Sequence, residues 1–430
     1  MTKKIINVKI FKCITTRVYI IRAQITLLRS NEMKKLLSFL LSMLLVSTLV
    51  FSVTACKKNE EGVVLDETVT PITIKIETEL DEDDNEQKVL TEITLSASAK
   101  DYVDKRNFTG LKNLLAKHAT SDAKWFTVDA ENEKVTFEIP SNVTVIASNS
   151  VVNLSFITEI IVNDNVTEIE QGAFVGLSGL ETITLPFVGG KIGAVNDGKL
   201  FAYIFGSIGT DGLTAVTQNY NEGTSSTASL YVPTSLKTVN VTGDVKSTPA
   251  TETYYVNEDN EHVKLAEGET APEGATVITV AVESYKESAV QPYAFYGITT
   301  VETVNFLGEI EAIPDYTFYG CSALKILEIK ETITTIGKYA YAGCSSLREL
   351  TLNNVEVIRE GAFSNCSSLA KSTEIKAGSL DISGVITIEE GAFVGCSSLN
   401  KNKLILGSHT AEELEDAFNE DFFATEEENV

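Results

Sequence analysis

Histidine is nearly absent. The 430 residues hold three, His118, His262 and His409, and a single tryptophan, Trp125. That scarcity argues against a catalytic centre built on imidazole, the commonest general base at neutral pH. Basic residues are also short. Thirty-five Lys and Arg stand against sixty Asp and Glu, a formal net charge of −25. Phosphate backbones are held by clustered Lys and Arg, so nucleic acid is excluded as the main partner. No G-x-S-x-G, H-E-x-x-H or C-x-x-C phrase occurs, which removes the common hydrolase and metal signatures. Gly189-Gly190-Lys191-Ile192-Gly193 lacks the rest of a phosphate-binding loop. What the chain does have is apolar residues, 43% of the total, enough to exclude disorder throughout.

Charge is unevenly spread. Residues 1–55 carry nine Lys and Arg and one acid, Glu32; the remainder carries a net −33. A basic leader before an acidic body marks an exported protein. Lys34 and Lys35 follow Met33, and twenty uncharged residues run from Leu36 to Ala55, ending in Val53-Thr54-Ala55-Cys56. This resembles a bacterial lipoprotein signal peptide, which implies a diacylglyceryl thioether on Cys56, cleavage before it and anchoring in the cell membrane on its extracellular face. An uncleaved transmembrane anchor is the alternative, since twenty apolar residues can span a bilayer. Both place the body outside. Residues 1–32 precede that signal and are read as an over-extended start, with residues 33–55 the signal peptide and 56–70 a polar tether.

The second half repeats. Phe295, Phe318, Tyr341 and Phe363 are spaced by 23, 23 and 22 residues, and Phe393 follows after 30. Each sits in a phrase such as Thr317-Phe318-Tyr319-Gly320-Cys321 or Ala362-Phe363-Ser364-Asn365-Cys366. Leu324-x-x-Leu327-x-Ile329 and Leu347-x-x-Leu350-x-Leu352 follow the aromatic; pairs such as Ile310/Ile313 and Ile333/Ile336 precede it. Val166, Ile169, Ala173, Phe174, Leu180, Ile183 and Leu185 fill the same slots upstream. A unit this short cannot fold alone, but stacked copies bury like slots on one another. The Leu-x-x-Leu-x-Ile piece predicts a short strand pairing in parallel with its copies, the aromatics a column, and Cys321, Cys344, Cys366 and Cys396 a second column.

The pattern resembles the BspA-type leucine-rich repeat of bacterial surface proteins over about residues 141–406. Segment Phe187–Gly190 with Tyr203–Gly206 and Val232–Val239 looks like a longer variant coil of that family. The resemblance implies a solenoid, mainly β with short parallel strands, that binds extracellular proteins or host surfaces and brings no catalytic residues or cofactor.

Insertions are expected at 186–235 and 243–290, and a lengthened coil at 370–384. Residues 71–140 fall outside the repeat and read as a small α+β domain or N-terminal cap. Ala411–Phe418 reads as a closing helix within a C-terminal segment 407–430 that ends in an acidic tail. The four repeat cysteines read as buried, reduced, metal-free thiols. Asp81, Asp83, Asn85 and Glu92 have calcium-loop spacing but lack its glycine and flanking helices, so an acidic hairpin turn is expected. Outward positions of the strands, Thr182, Thr184, Thr238, Asn240, Thr303, Asn305, Glu328, Arg348 and Thr351, form a polar ladder suited to a protein or glycan. Thr184, Asn240, Asn305, Glu328 and Thr351 are its candidate ligand-binding residues. The sequence thus reads as a membrane-anchored adhesin or interaction scaffold that binds without catalysis. The alternative is a glycan or solute receptor using the inserted loops, and an enzyme in residues 71–140 comes third.

Overall fold

The computed structural model describes residue 66 and residues 68–423, except 223–225, 257–261, 265–269, 273–274, 326–329, 349, 353, 370–379, 400 and 421. The leader, Cys56 and Glu328 lie outside the described residues.

A hairpin opens the chain, β1 (Ile72–Leu80) and β2 (Glu86–Leu95), paired antiparallel. Its turn is the acidic run. The Asp81 carboxylate accepts from the amides of Asp83 and Asn85 at 2.9 Å each, so it is committed to the turn. Two short helices follow, α1 (Ala97–Asp104) and α2 (Phe108–Lys117), with Ser96 and Asn107 accepting from first-turn amides as N-caps. Helix α2 buries Phe108, Leu111, Leu114 and Leu115, the face that their spacing predicts. Strands β3 (Phe126–Asp129) and β4 (Lys134–Glu138) form a second hairpin, preceded by a 3-10 turn at Asp122–Trp125.

The coils begin with β5 (Val145–Ile146), β6 (Glu159–Ile161), β7 (Glu168–Ile169) and β8 (Thr182–Leu185). Strand β2 pairs in parallel with β5, and β4 pairs in parallel with β6. Each hairpin therefore adds a strand to one side of the first coil. Residues 71–140 thus give the strands of the first coil partners where bare edges would otherwise stand.

The insertions then appear as antiparallel pieces. Strands β9 (Leu213–Asn219) and β10 (Thr227–Pro233) form a hairpin before coil strand β11 (Thr238–Val241). Strand β12 (Thr248–Val256) lies between β13 (His262–Lys264) and β14 (Val277–Ser284). Regular coils resume with β15 (Thr303–Phe306), β16 (Ala312–Ile313), β17 (Thr335–Ile336), β18 (Val357–Ile358), β19 (Leu380–Asp381), β20 (Thr387–Ile388) and β21 (Leu404–Ile405). Among the described residues one sheet runs β3-β4-β6-β8-β11-β15 and another β16-β17-β18-β20, the latter parallel throughout.

This corrects the expected strand positions. The piece after the aromatic is a strand in β8 and β15, but Leu350–Leu352 is not, although Leu350 and Leu352 remain buried. In that coil the described parallel pairing is on the Ile-x-x-Ile piece, β17 with β18, a pairing the first coils also make through β5 and β7 beside their β6–β8 ladder, and the core slots are kept.

The aromatic column is continuous. Neighbouring ring centroids lie 5.2 Å apart for Phe295–Phe318, 5.1 Å for Phe318–Tyr341, 5.4 Å for Tyr341–Phe363 and 5.5 Å for Phe363–Phe393. The 186–235 insertion does not interrupt it, because Phe201 supplies a ring 4.9 Å from Phe295. The turn bearing each ring also forms a backbone ladder: Phe295, Phe318, Tyr341 and Phe363 donate to Thr317, Ala340, Ala362 and Ala392 at 2.7–2.8 Å.

The closing helix expected at Ala411–Phe418 is instead a 3-10 stretch, Glu412–Ala417. Phe418 stacks 5.1 Å from Phe393, and Phe393 donates to the Ala417 carbonyl at 2.8 Å. Ala417-Phe418 is a truncated copy of the repeat phrase, 25 residues after Ala392-Phe393. Its chain is shaped by the ladder it completes, not by helical periodicity.

One core ring carries a burden. Tyr341 is fully buried and its hydroxyl has no partner among the described residues. A buried unpaired polar group costs about 1–3 kcal/mol, and neighbouring coils use Phe at this slot. Tyr341→Phe is expected to stabilise the fold by about 1 kcal/mol in denaturant titration. A lowered midpoint would show that the hydroxyl is satisfied in solution.

Candidate functional site

The polar ladder forms where β8, β11 and β15 lie in register. Thr182, Thr238 and Thr303 align, as do Thr184, Asn240 and Asn305. The Asn305 amide donates to Asn240 Oδ1 at 2.8 Å, and the Asn240 amide donates to Thr184 Oγ1 at 3.1 Å. These rungs are tied to one another along the stack, and Thr184 is only 9% exposed. The fully outward placement expected for Thr184 is therefore corrected: Asn240 leans over it. Asn305 is half-buried, while Arg348 and Thr351 are exposed. Glu302 bridges Lys237 at 3.5 Å and Lys325 at 2.5 Å beside the ladder. The structure brings Thr184, Asn240 and Asn305 together as one row; Thr351 lies two coils further on, and Glu328 between them lies outside the described residues.

The cysteine column is buried. Cys321, Cys344, Cys366 and Cys396 each donate through sulfur, to the carbonyls of Phe295, Phe318, Tyr341 and Phe363 at 3.1–3.2 Å. Each thiol thus fastens its turn to the coil before. Burial pushes Cys321 and Cys396 up to about 12, and Cys344 and Cys366 well above the ordinary thiol range. A thiol held protonated in this way is a poor nucleophile. Among the described residues no three His, Cys, Asp or Glu side chains gather as a metal set.

Sequence reasoning missed a second surface. Tyr293, Tyr316 and Tyr339 stand two residues before the core aromatic in three successive coils. Tyr293 and Tyr316 stack at 4.7 Å with 6° between ring planes, and Tyr316 and Tyr339 at 5.3 Å. Beside them Tyr296 and Tyr319 stack at 4.7 Å and 7°. The Tyr339 hydroxyl donates to Glu360 Oε1 at 2.8 Å. The Tyr296 hydroxyl accepts from Asn219 at 3.3 Å. Lys199 lies 5.1 Å above the Tyr293 ring and Lys338 lies 5.8 Å above the Tyr339 ring. Burial holds the phenols of Tyr293 and Tyr316 well above their usual range, and burial lowers Lys199 to about 8. The signal in the sequence is a tyrosine recurring at the repeat period, outside the slots that fill the core.

Two shallow cavities flank the stack. One of about 430 Å³ includes Arg106, Glu133, Phe156 and Glu181; the other, about 540 Å³, includes Ile386, His409 and Glu413. In the second, His409 Nε2 lies 2.7 Å from the Val385 carbonyl.

The sequence model of the BspA type leucine rich repeat region matches six copies, over residues 86–195 and 284–400, more than half of the chain. The chain belongs to the BspA-type leucine-rich-repeat family. The unmatched stretch between the two blocks holds most of both insertions, and the first block reaches into the N-terminal cap. BspA-type repeat proteins are often surface-associated and typically non-catalytic. The chain is similar to a solved T. pallidum leucine-rich-repeat protein at 13% identity, over 76% of this chain and 89% of that one, with a TM-score of 0.30. A leucine-rich-repeat protein from Bacteroides ovatus is 17% identical over 62% and 59%, TM-score 0.26. A leucine-rich cell surface protein from Faecalibacterium prausnitzii is 16% identical over 68% and 95%, TM-score 0.24. No curated protein matches the sequence. No helix of the described residues is long and apolar enough to cross a membrane.

Proposed function

We propose that this BspA-type protein is a lipid-anchored surface protein that holds a macromolecular partner on its solenoid without catalysis. What supports the reading is the repetition itself. Stacked coils place equivalent polar side chains about 4.8 Å apart along a sheet, an array that suits many weak contacts with a large partner and offers no converging catalytic pair. The partner is an extracellular protein or glycan, and the bilayer is reached through diacylglyceryl Cys56.

Two measurements test this. Cells labelled with a fatty-acid analogue are expected to label the wild-type protein and not Cys56→Ala; equal labelling removes the anchor. In a pull-down of surface and host proteins, the combined Asn305→Ala, Glu328→Ala and Thr351→Ala variant is expected to retain less partner while folding normally. If that variant binds normally and deletion of 243–290 abolishes binding, the inserted loops carry recognition instead, as a solute or glycan receptor would require.

A further inference from the structure

We propose that the tyrosine face of Tyr293, Tyr296, Tyr316, Tyr319 and Tyr339 is a docking site for a basic, extended polypeptide segment. It lies on the turn that precedes and carries the core aromatic, apart from the strands that carry the Thr and Asn ladder. It therefore stands even if the ladder variants bind normally.

The first observation is conformational. The residue two before the core aromatic is left-handed in coil after coil: φ is 71° at Gly172, 60° at Gly361 and 67° at Gly391. Glycine takes that region without steric penalty. Yet Tyr293, Tyr316 and Tyr339 occupy the same slot at φ 69°, 55° and 51°. A bulky residue there is an outlier, and such strain collects where a ligand is held. The stack itself does not require tyrosine, because the coils with Gly361 and Gly391 make the same backbone ladder: Gly361 donates to Glu390 at 2.9 Å and Gly391 to Asp416 at 2.8 Å, as Tyr316 does to Lys338 at 2.8 Å.

The second observation is the shape of the face. Stacking turns the ring faces toward one another along the solenoid, and Tyr296, Tyr316, Tyr319 and Tyr339 stay partly exposed. The surface is thus ring edges and hydroxyls. The shorter row stops at Tyr319, because the next coil carries Ala342 in that slot, which leaves a step one ring deep. Tyrosine offers rigid amphipathic contact area at low entropic cost, hence its prominence in interfaces.

The third is chemical. The phenols of Tyr293 and Tyr316 bond to no described residue, and burial keeps their protons in place, so they stand as donors for carbonyl oxygens. The exposed Glu222 acts on both electrostatically, whereas Asp315 accepts from the Lys338 amide at 2.7 Å and Glu360 bridges the Lys338 ammonium at 2.9 Å. The chain already sets a lysine over the ring at each end of the long row, Lys199 and Lys338, the contact that a ring quadrupole offers a cation. A polypeptide bearing Lys or Arg supplies both complements, backbone carbonyls for the phenols and a cation for the exposed Glu222. An acidic partner meets a chain of net charge −25, and a neutral glycan supplies no cation.

The test uses the full chain and a fluorescent, unstructured Arg/Ala/Pro peptide, with a Glu/Ala/Pro peptide and a neutral oligosaccharide as comparisons, at physiological salt to screen diffuse attraction. Tyr293→Gly/Tyr316→Gly/Tyr339→Gly installs the glycine that other coils use, and Tyr319→Ala installs the residue of the next coil. Both leave the net charge unchanged. The expected result is about thirtyfold weaker binding of the Arg peptide by either variant, the loss of an interface hot spot, with unchanged circular dichroism. Equal binding by wild type and Tyr319→Ala overturns the proposal, since the peptide is then held by general acidity alone. Tyrosine-dependent binding of the oligosaccharide with no binding of the Arg peptide also overturns it, and assigns the face to a glycan. If the triple variant does not fold, Tyr319→Ala decides alone.

Discussion

Phe363→Ala will cost about 3–5 kcal/mol of folding stability, measured as a drop in denaturation midpoint. The ring is fully buried, with Tyr341 on one face and Phe393 on the other, at 5.4 Å and 4° and at 5.5 Å and 7°. Two stacked contacts are lost, each worth about 0.5–1.5 kcal/mol beyond the buried area. The void cannot close by local collapse, because backbone bonds hold this turn to both neighbours: Phe363 donates to Ala392, and Tyr341 donates to Ala362. An unchanged midpoint would mean that the repeat register is wrong.

The second large effect is expected at Gln218, a residue outside the repeat. Its side chain is completely buried. Oε1 accepts from the Ala202 amide at 3.0 Å; Nε2 donates to the Tyr296 carbonyl at 2.9 Å and more weakly to Ala294 at 3.4 Å. The inserted hairpin β9–β10 thereby supplies, through one side chain, hydrogen bonds that a regular coil would supply through its backbone. Gln218→Leu keeps the volume but strands the Ala202 amide and the Tyr296 carbonyl, at about 1–3 kcal/mol for each group left unpaired, while the Ala294 carbonyl keeps the Phe201 amide at 2.8 Å. A total loss of about 3 kcal/mol is expected, with Gln218→Glu also destabilised because a carboxylate cannot donate to Tyr296. If Gln218→Leu is as stable as wild type, the splice is maintained by apolar packing alone.

These two cases bracket what could be read from the sequence. Phe363 was legible because the same side chain does the same job every 22 or 23 residues, and a period exposes its slots. Gln218 does a unique job, and nothing near it in sequence points to Tyr296. The closing turn failed for a related reason. Ala411–Phe418 has helical spacing, but Phe418 is fixed by Phe393, and that long-range contact outweighs local preference. Strand pairing is less regular than the core because inward apolar residues are required whether or not the backbone beside them pairs; Leu350 and Leu352 satisfy the core with no ladder among the described residues. At the ladder, the sequence placed Thr184, Asn240 and Asn305 in one row. It did not show that their amides and hydroxyl bond to each other, which depends on register to within one residue. The tyrosine face was legible in principle, but its informative property is a backbone angle, and side-chain periodicity does not report angles.

The last turn has a bearing on how long such a molecule can be. A coil that stacks on its own copy carries no instruction to stop; length has to be imposed at an end. Here Asp416, Ala417 and Asn419 accept from the amides of Gly391, Phe393 and Gly395, and the Phe418 ring covers Phe393. Without that turn, the exposed end would present amide donors and a bare aromatic ring shaped to receive another coil. A surface of that kind joins molecules end to end by a contact that does not close on itself, the geometry of open filaments. Asp416, Ala417, Asn419 and the Phe418 ring therefore act on the last coil as a chain terminator does on a growing polymer: they occupy the donors and the ring face that a further copy of the coil would use.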